Sequence, residues 1–406
     1  LQDGPLFHPM AGHSSENVVI VGSGIVGLAH ALAALEAGCR VTVIERATRP
    51  LGASVRNFGT LWPVGLPFGP EREQALYGVA RWRELAPAAG FEADACGSLS
   101  LAHSDAAWAV LCECVAGPDA AAAGFELVSP EEVMRRYPLA NPDGLRGGLF
   151  SPHEACVRPA EAMAALVGHL RRLGVEFHFG VCAVRVLADA VEVADGRRFG
   201  FDHCVIAAGE EMRLLFPAAL AAARIGPCRL QMMRSEPLAG RLGAIMVSDL
   251  TLAHYPAFAA CPSLAALRDH LAETRAGQLR QGIHVIAAQH ADGSLTLGDS
   301  HEYGEDFAPG QRAEVEALIL ENLASFTRLP DLRIAARWTG TYLKSTEGCT
   351  QVVLQPQERV TMVTAMGGLG MTLSWGLAER TVAAWCAVPP PPGIEDVAAP
   401  ALLPPL

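Results

Sequence analysis

Lysine is almost missing from this chain. Of 31 basic side chains in 406 residues, all but Lys344 are arginine, and 43 acidic residues bring the formal net charge to -12 at pH 7. Runs of positive charge are absent too. That excludes a nucleic-acid binder or a binder of anionic membranes, because either needs a basic footprint. No stretch approaches the ~20 uninterrupted apolar residues of a membrane span. Charged residues make up only 18% of the chain, too few for intrinsic disorder. The eleven cysteines are an odd number without a CxxC pair, so neither a disulfide framework nor a zinc ribbon is indicated. Reduced thiols in a cytoplasmic protein are expected. No metal-ligand spacing and no Ser/His/Asp pattern stands out. Residues 1–16 lack the basic start and apolar core of a signal peptide and are read as a disordered lead. Residues 389–406 are read as a proline-rich tail. The length suits two domains, at ~100 to 200 residues each.

Against these absences, residues 17–46, NVVIVGSGIVGLAHALAALEAGCRVTVIER, are specific. An apolar strand runs into a glycine turn, an alanine-leucine helix and a second strand ending in an acid. Gly22 permits the tight turn, Gly24 lets backbone amides approach a pyrophosphate, and Gly27 lets the helix lie close to the sheet. The helix start at Ile25 and Val26 offers unpaired N–H groups to a phosphate. Glu45 stands where a carboxylate accepts the ribose hydroxyls, which disfavours a 2′-phosphate and hence NADP. FAD and NAD share this half, so the fingerprint leaves them open.

Arg46 and the loop GASVRNFGTLWP at 52–63 follow. The positions Gly52, Ser54, Arg56, Asn57 and Gly59 resemble the FAD-dependent oxidoreductases of the D-amino acid oxidase, glycine oxidase and sarcosine oxidase group. The resemblance continues in order through 147–177, Ala183, HCVIAAGEE at 203–211 with Ala208 and Gly209, and TMVTAMGGLGMTLSWGLAE at 361–379. In the last segment Gly367, Gly368, Leu369, Gly370, Met371 and Thr372 match the turn near the flavin pyrimidine. This implies noncovalent FAD, because Gly340 stands where sarcosine oxidases carry the linking cysteine. The implied fold class is α/β: a discontinuous Rossmann-type, glutathione-reductase-like FAD-binding domain (17–95, 147–215 and 332–388) with an inserted antiparallel-sheet substrate domain (96–146 and 216–331). A hairpin is expected around Ala291, Asp292 and Gly293, and a strand within 226–238.

The resemblance also implies the chemistry: hydride transfer from the amine carbon of a small substrate to flavin N5, imine hydrolysis, and reoxidation by oxygen or another acceptor. In this group an arginine in WxGxRPxTxDG clamps the substrate carboxylate. Here the segment reads RWTGTYLKSTEG, with Tyr342 at the arginine position and Lys344 two residues on. If the segment is extended, Tyr342 and Lys344 share a face. A hydroxyl and an ammonium suit a phosphonate better than a planar carboxylate. Arg56, His254 and Tyr255 are further candidates for the substrate pocket. The oxygen-activating lysine of sarcosine oxidases is replaced by Thr296, so a dehydrogenase remains open beside an oxidase. RNFGTLWP and SPHEACVRP resemble a bacterial subgroup associated with phosphonate breakdown. The expected partner is a small anionic amine. Two alternatives stay open: a 2-hydroxyacid dehydrogenase using a base such as His254, and a flavin-binding subunit without turnover.

Overall fold

The computed structural model describes residues 16–386 and residue 394; apart from these residues, the expected lead and tail lie outside the described part. The opening apolar run becomes the central strand Asn17–Val21 of a six-stranded sheet. Across that sheet the order is Val352–Gln357, Val360–Thr364, His203–Ile206, Asn17–Val21, Arg40–Glu45 and Glu176–Phe179. All pairs are parallel except the first, at the edge. Strand alternation sends Val18 and Ile20 to one face and Val19 and Val21 to the other. The first face packs with Leu28 and Leu32 of the helix Ile25–Glu36 and with Leu373 and Leu377 of the helix Gly370–Cys386. The second face packs against Val191 and Val193 of a three-stranded antiparallel meander, 183–200. Apolar cover on both sides explains why these strands read as continuous hydrophobic runs.

A nine-stranded sheet forms the second layer system. It is antiparallel in every pairing except that of Ile245–Val247 with Ser98–Ala102. The expected hairpin forms from Ile286–Gln289 and Leu295–Gly298; the Asp292 carboxylate closes its turn by accepting from the Ser294 amide at 2.9 Å. The strand expected within 226–238 runs as Ile225–Ser235. Two segments differ from the expected division of the chain. Gly147–Ser151 pairs with Ser98–Ala102, and Ile334–Ser345 pairs along its length with Ile225–Ser235, so both belong to the large sheet. The second of these ladders sets Tyr342 opposite Cys228 and Lys344 opposite Gly226.

Candidate active site

A cavity of about 1140 Å³ opens beyond the carboxyl ends of the central parallel strands, bordered by the long strand Ile334–Ser345. Its floor is backbone. Gly22 has φ +108°, and a Cβ there would stand 2.4 Å from the Ala207 carbonyl oxygen. A Cβ on Gly27 would stand 2.0 Å from the Gly22 oxygen, so only glycine lets the helix sit this close to the turn. Gly24 caps the helix without a side chain, and the missing cap comes from a remote loop: Ser54 Oγ accepts from the Ile25 amide at 2.9 Å. Glu45 is held at the end of the second strand, its carboxylate accepting from the Ser23 amide and hydroxyl, both at 2.9 Å, and from the Ala47 amide at 2.8 Å.

Most of the expected cofactor positions line this cavity. Gly22, Gly24, Ile25, Val26, Glu45, Arg46, Ser54 and Asn57 do so on one side. Ala183, Ala208, Gly209, Gly340, Gly368, Gly370 and Met371 do so around the rest. Arg46 is ion-paired with Glu211 at the rim. Asn57 shapes its own loop, accepting from the Gly59 amide at 2.7 Å and donating to the Ala53 carbonyl at 3.0 Å. Five expected positions are not among the lining residues: Gly27, Gly59, Gly367, Leu369 and Thr372. Gly59 lets its loop touch Val157, Leu369 is buried in the core, and Thr372 Oγ1 accepts from the Trp62 amide at 2.9 Å. These residues support the cavity from behind. The volume, the helix-start amides and the ribose-side carboxylate together fit an adenine dinucleotide with a second ring system.

Beside the cavity the molecule changes character, from backbone to side chains. Tyr342 lines the cavity near Gly368. Cys228 stands opposite Tyr342 in one ladder and opposite Tyr303 in the other, between the two tyrosines. Lys344 Nζ donates to the Tyr303 hydroxyl at 3.1 Å and lies over its ring. Beyond Tyr303 come three imidazoles, with His254 stacked on His284 at 3.7 Å between centroids and His301 at 5.0 Å from His284. Tyr255 meets His284 edge-on and leads back to Trp62. Burial lowers the pKa of His301 to about 4, with Lys344 adding to the shift. His284 is also held well below its ordinary value by burial. The buried Asp299 carboxyl is pushed up to about 8. At neutral pH the two buried rings, His284 and His301, are therefore uncharged.

Four of the five expected substrate residues, Tyr342, Lys344, His254 and Tyr255, thus gather in one place. Arg56 is not part of that cluster but lines the cavity, as Tyr342 does; its guanidinium donates to the Thr339 carbonyl at 3.2 Å, and its own carbonyl accepts from Trp338 Nε1 at 3.0 Å. Lys344 points to Tyr303 and is not among the residues lining the cavity. His284, Asp299, His301 and Tyr303 escaped the sequence reading. The alternation of 299, 301 and 303 in DSHEY was the available signal for three of them. Thr296 Oγ1 is occupied by His290 Nε2 at 2.8 Å.

The sequence profile of the family described as "FAD dependent oxidoreductase" (DAO) matches residues 17–384. Among curated proteins, the chain is 28% identical over 177 residues to a 4-methylaminobutanoate oxidase (formaldehyde-forming) of Paenarthrobacter nicotinovorans, covering 42% of this chain and 21% of that protein. It is 25% identical over 182 residues to the mitochondrial pyruvate dehydrogenase phosphatase regulatory subunit of Mus musculus, covering 44% and 21%. Each match thus takes in about a fifth of the relative's own length. Among solved structures, glycine oxidase from Geobacillus kaustophilus superimposes with TM-score 0.71 at 16% identity, covering 92% of this chain and 95% of that one. L-proline dehydrogenase from P. horikoshii gives 0.73 at 18%, covering 92% and 93%. At these identities the likeness is one of fold.

Proposed function

The chain belongs to the family of FAD-dependent oxidoreductases, and from that premise we propose that it oxidises the amine-bearing carbon of a small amino acid or aminophosphonate. FAD is the cofactor, and when bound it supplies the two-electron acceptor. The observation that carries the proposal is the side-chain group around Tyr342. Where relatives are expected to hold a planar arginine fork, this chain sets the Tyr342 hydroxyl at the cavity and the Lys344 ammonium beside Tyr303. A point charge with three donors suits a tetrahedral oxyanion such as a phosphonate. Gly340 and the rest of the cavity's long-strand border offer no thiol, in keeping with noncovalent FAD.

Anaerobic mixing with a panel of amines and hydroxy acids tests this reading. Amino acids, N-methyl amino acids or aminophosphonates are expected to bleach the flavin absorbance; bleaching by hydroxy acids alone would overturn it. The match to a phosphatase regulatory subunit favours a second reading, a flavin-binding subunit without turnover. For that reading no member of the panel bleaches. Oxygen uptake after reduction separates an oxidase from a dehydrogenase. No helix among the described residues is long and apolar enough to cross a membrane.

A further inference from the structure

We propose that His254, His284 and His301 bind one divalent transition-metal ion of the zinc class. The three come from separate elements: the end of the short helix Asp249–His254, the approach to the strand Ile286–Gln289, and the segment after Leu295–Gly298. One ring nitrogen of each lies within 4.8 Å of those of the other two. Zinc–imidazole bonds of about 2.0–2.1 Å put tetrahedral ligand atoms roughly 3.3 Å apart, so modest side-chain rotation closes the set.

The surroundings supply what ligating histidines need. His301 Nδ1 pairs with the Gly282 carbonyl at 2.9 Å, which fixes the proton on that nitrogen and frees the Nε2 lone pair for an ion. His284 is 4% exposed, yet neither of its ring nitrogens has a hydrogen-bond partner among the described residues. The same holds for Asp299 Oδ1, which lies 3.7 Å from His284 Nε2 and 3.9 Å from His301 Nδ1. Buried polar atoms left unpaired cost about 1–3 kcal/mol each. An ion on His284 Nδ1, with Nε2–H turned to Asp299, satisfies all three of these atoms at once in a carboxylate–histidine–metal arrangement.

Charge and access agree with this assignment. Asp299 lies beside the cluster and can carry the compensating charge once a cation is bound, while the nearby Lys344 is tied to the Tyr303 hydroxyl. His254 is the exposed member and gives an ion a way in. Three imidazoles select zinc, copper, iron or nickel over magnesium or calcium. Three protein ligands also leave a fourth position for water or an anionic oxygen, as catalytic rather than structural sites do.

The test is a titration of the chelator-treated, FAD-loaded protein with Zn2+ by calorimetry and with Co2+ by visible absorption. About one equivalent should bind, with the intense ligand-field bands of a four-coordinate cobalt site, and binding should weaken by at least ~100-fold in His284→Phe. Because a buried ring is being replaced there, His254→Gln at the exposed position must show the same loss while keeping its flavin absorbance. His270→Gln, outside the cluster, should bind as the parent does. Failure of both ions to bind, or undiminished binding in His254→Gln, overturns the site. Neither readout requires turnover. A protein that binds the ion but oxidises no amine sinks only the proposed reaction, and one that oxidises amines without binding the ion sinks only this site.

Discussion

The cavity and the side-chain group beside it are built on opposite plans. The cavity is made of backbone: Gly22, Gly24 and Gly27 lie within six residues, and each marks a place where a side chain would collide or a phosphate must come close. The neighbouring group is made of side chains from residues 228, 254, 284, 299, 301, 303, 342 and 344, which only the folded sheet brings together. A backbone site leaves its pattern in a short stretch of sequence, because the geometry is local. A side-chain site leaves none, because any spacing serves once the strands are paired.

The sharpest way to break this contrast is Gly27→Val. Its Cβ would meet the Gly22 carbonyl at 2.0 Å, and backbone cannot move aside as a side chain can. The variant should lose FAD altogether, with destabilisation above ~3 kcal/mol; a yellow, folded Gly27→Val protein would show that the floor is not built on backbone contact.

The next effect belongs to a side-chain network within the nucleotide domain. Glu379, on the helix Gly370–Cys386, hydrogen-bonds to the Tyr77 hydroxyl and lies 3.1 Å from Arg81 Nε. Burial raises its pKa to about 7 despite that cation. The folded state thus holds the proton more tightly than the unfolded state. The resulting stability is complete below the ordinary carboxyl pKa of about 4.5 and is lost as pH rises through 7, a change of up to ~3 kcal/mol. Urea unfolding of Glu379→Gln at pH 5 and pH 8 should lack that loss; a slope equal to the parent's would mean the charge is already neutralised by Arg81.

Lys344→Met comes third. Removing a charged donor to a substrate anion should raise KM by ~10- to 100-fold, equivalent to ~1.5–3 kcal/mol, with FAD affinity unchanged. An unaltered KM would move the anion site elsewhere. The smallest effect is expected from Ser54→Ala, which removes the cross-loop cap on Ile25: about 1 kcal/mol in thermal unfolding of the flavin-free protein.

What could be read in the sequence follows the same division. The opening strand–turn–helix–strand and the hairpin at 286–298 were legible because periodicity and turn residues are local properties. Tyr342 and Lys344 were legible as a pair because two-residue alternation along one strand is local too. The sheet membership of Gly147–Ser151 and Ile334–Ser345 was not, since a strand's pattern reports which face is buried, not which neighbour donates its hydrogen bonds. Arg56 was legible by residue type and lines the cavity, while its bond to the Thr339 carbonyl, on a residue 283 positions away, was not. The histidines at 254, 284 and 301 carry no short-range spacing, so the sequence pointed to no metal centre where the structure draws three imidazoles together.

The ladder between Ile225–Ser235 and Ile334–Ser345 runs nearly the full length of both strands, and its hydrogen bonds are indifferent to the side chains they display. Positions 342 and 344 therefore behave as sockets whose location is set by main chain alone. An anion receptor of the kind proposed for Tyr342 and Lys344 could be exchanged there without disturbing the ladder, so a change of substrate range would need few mutational steps.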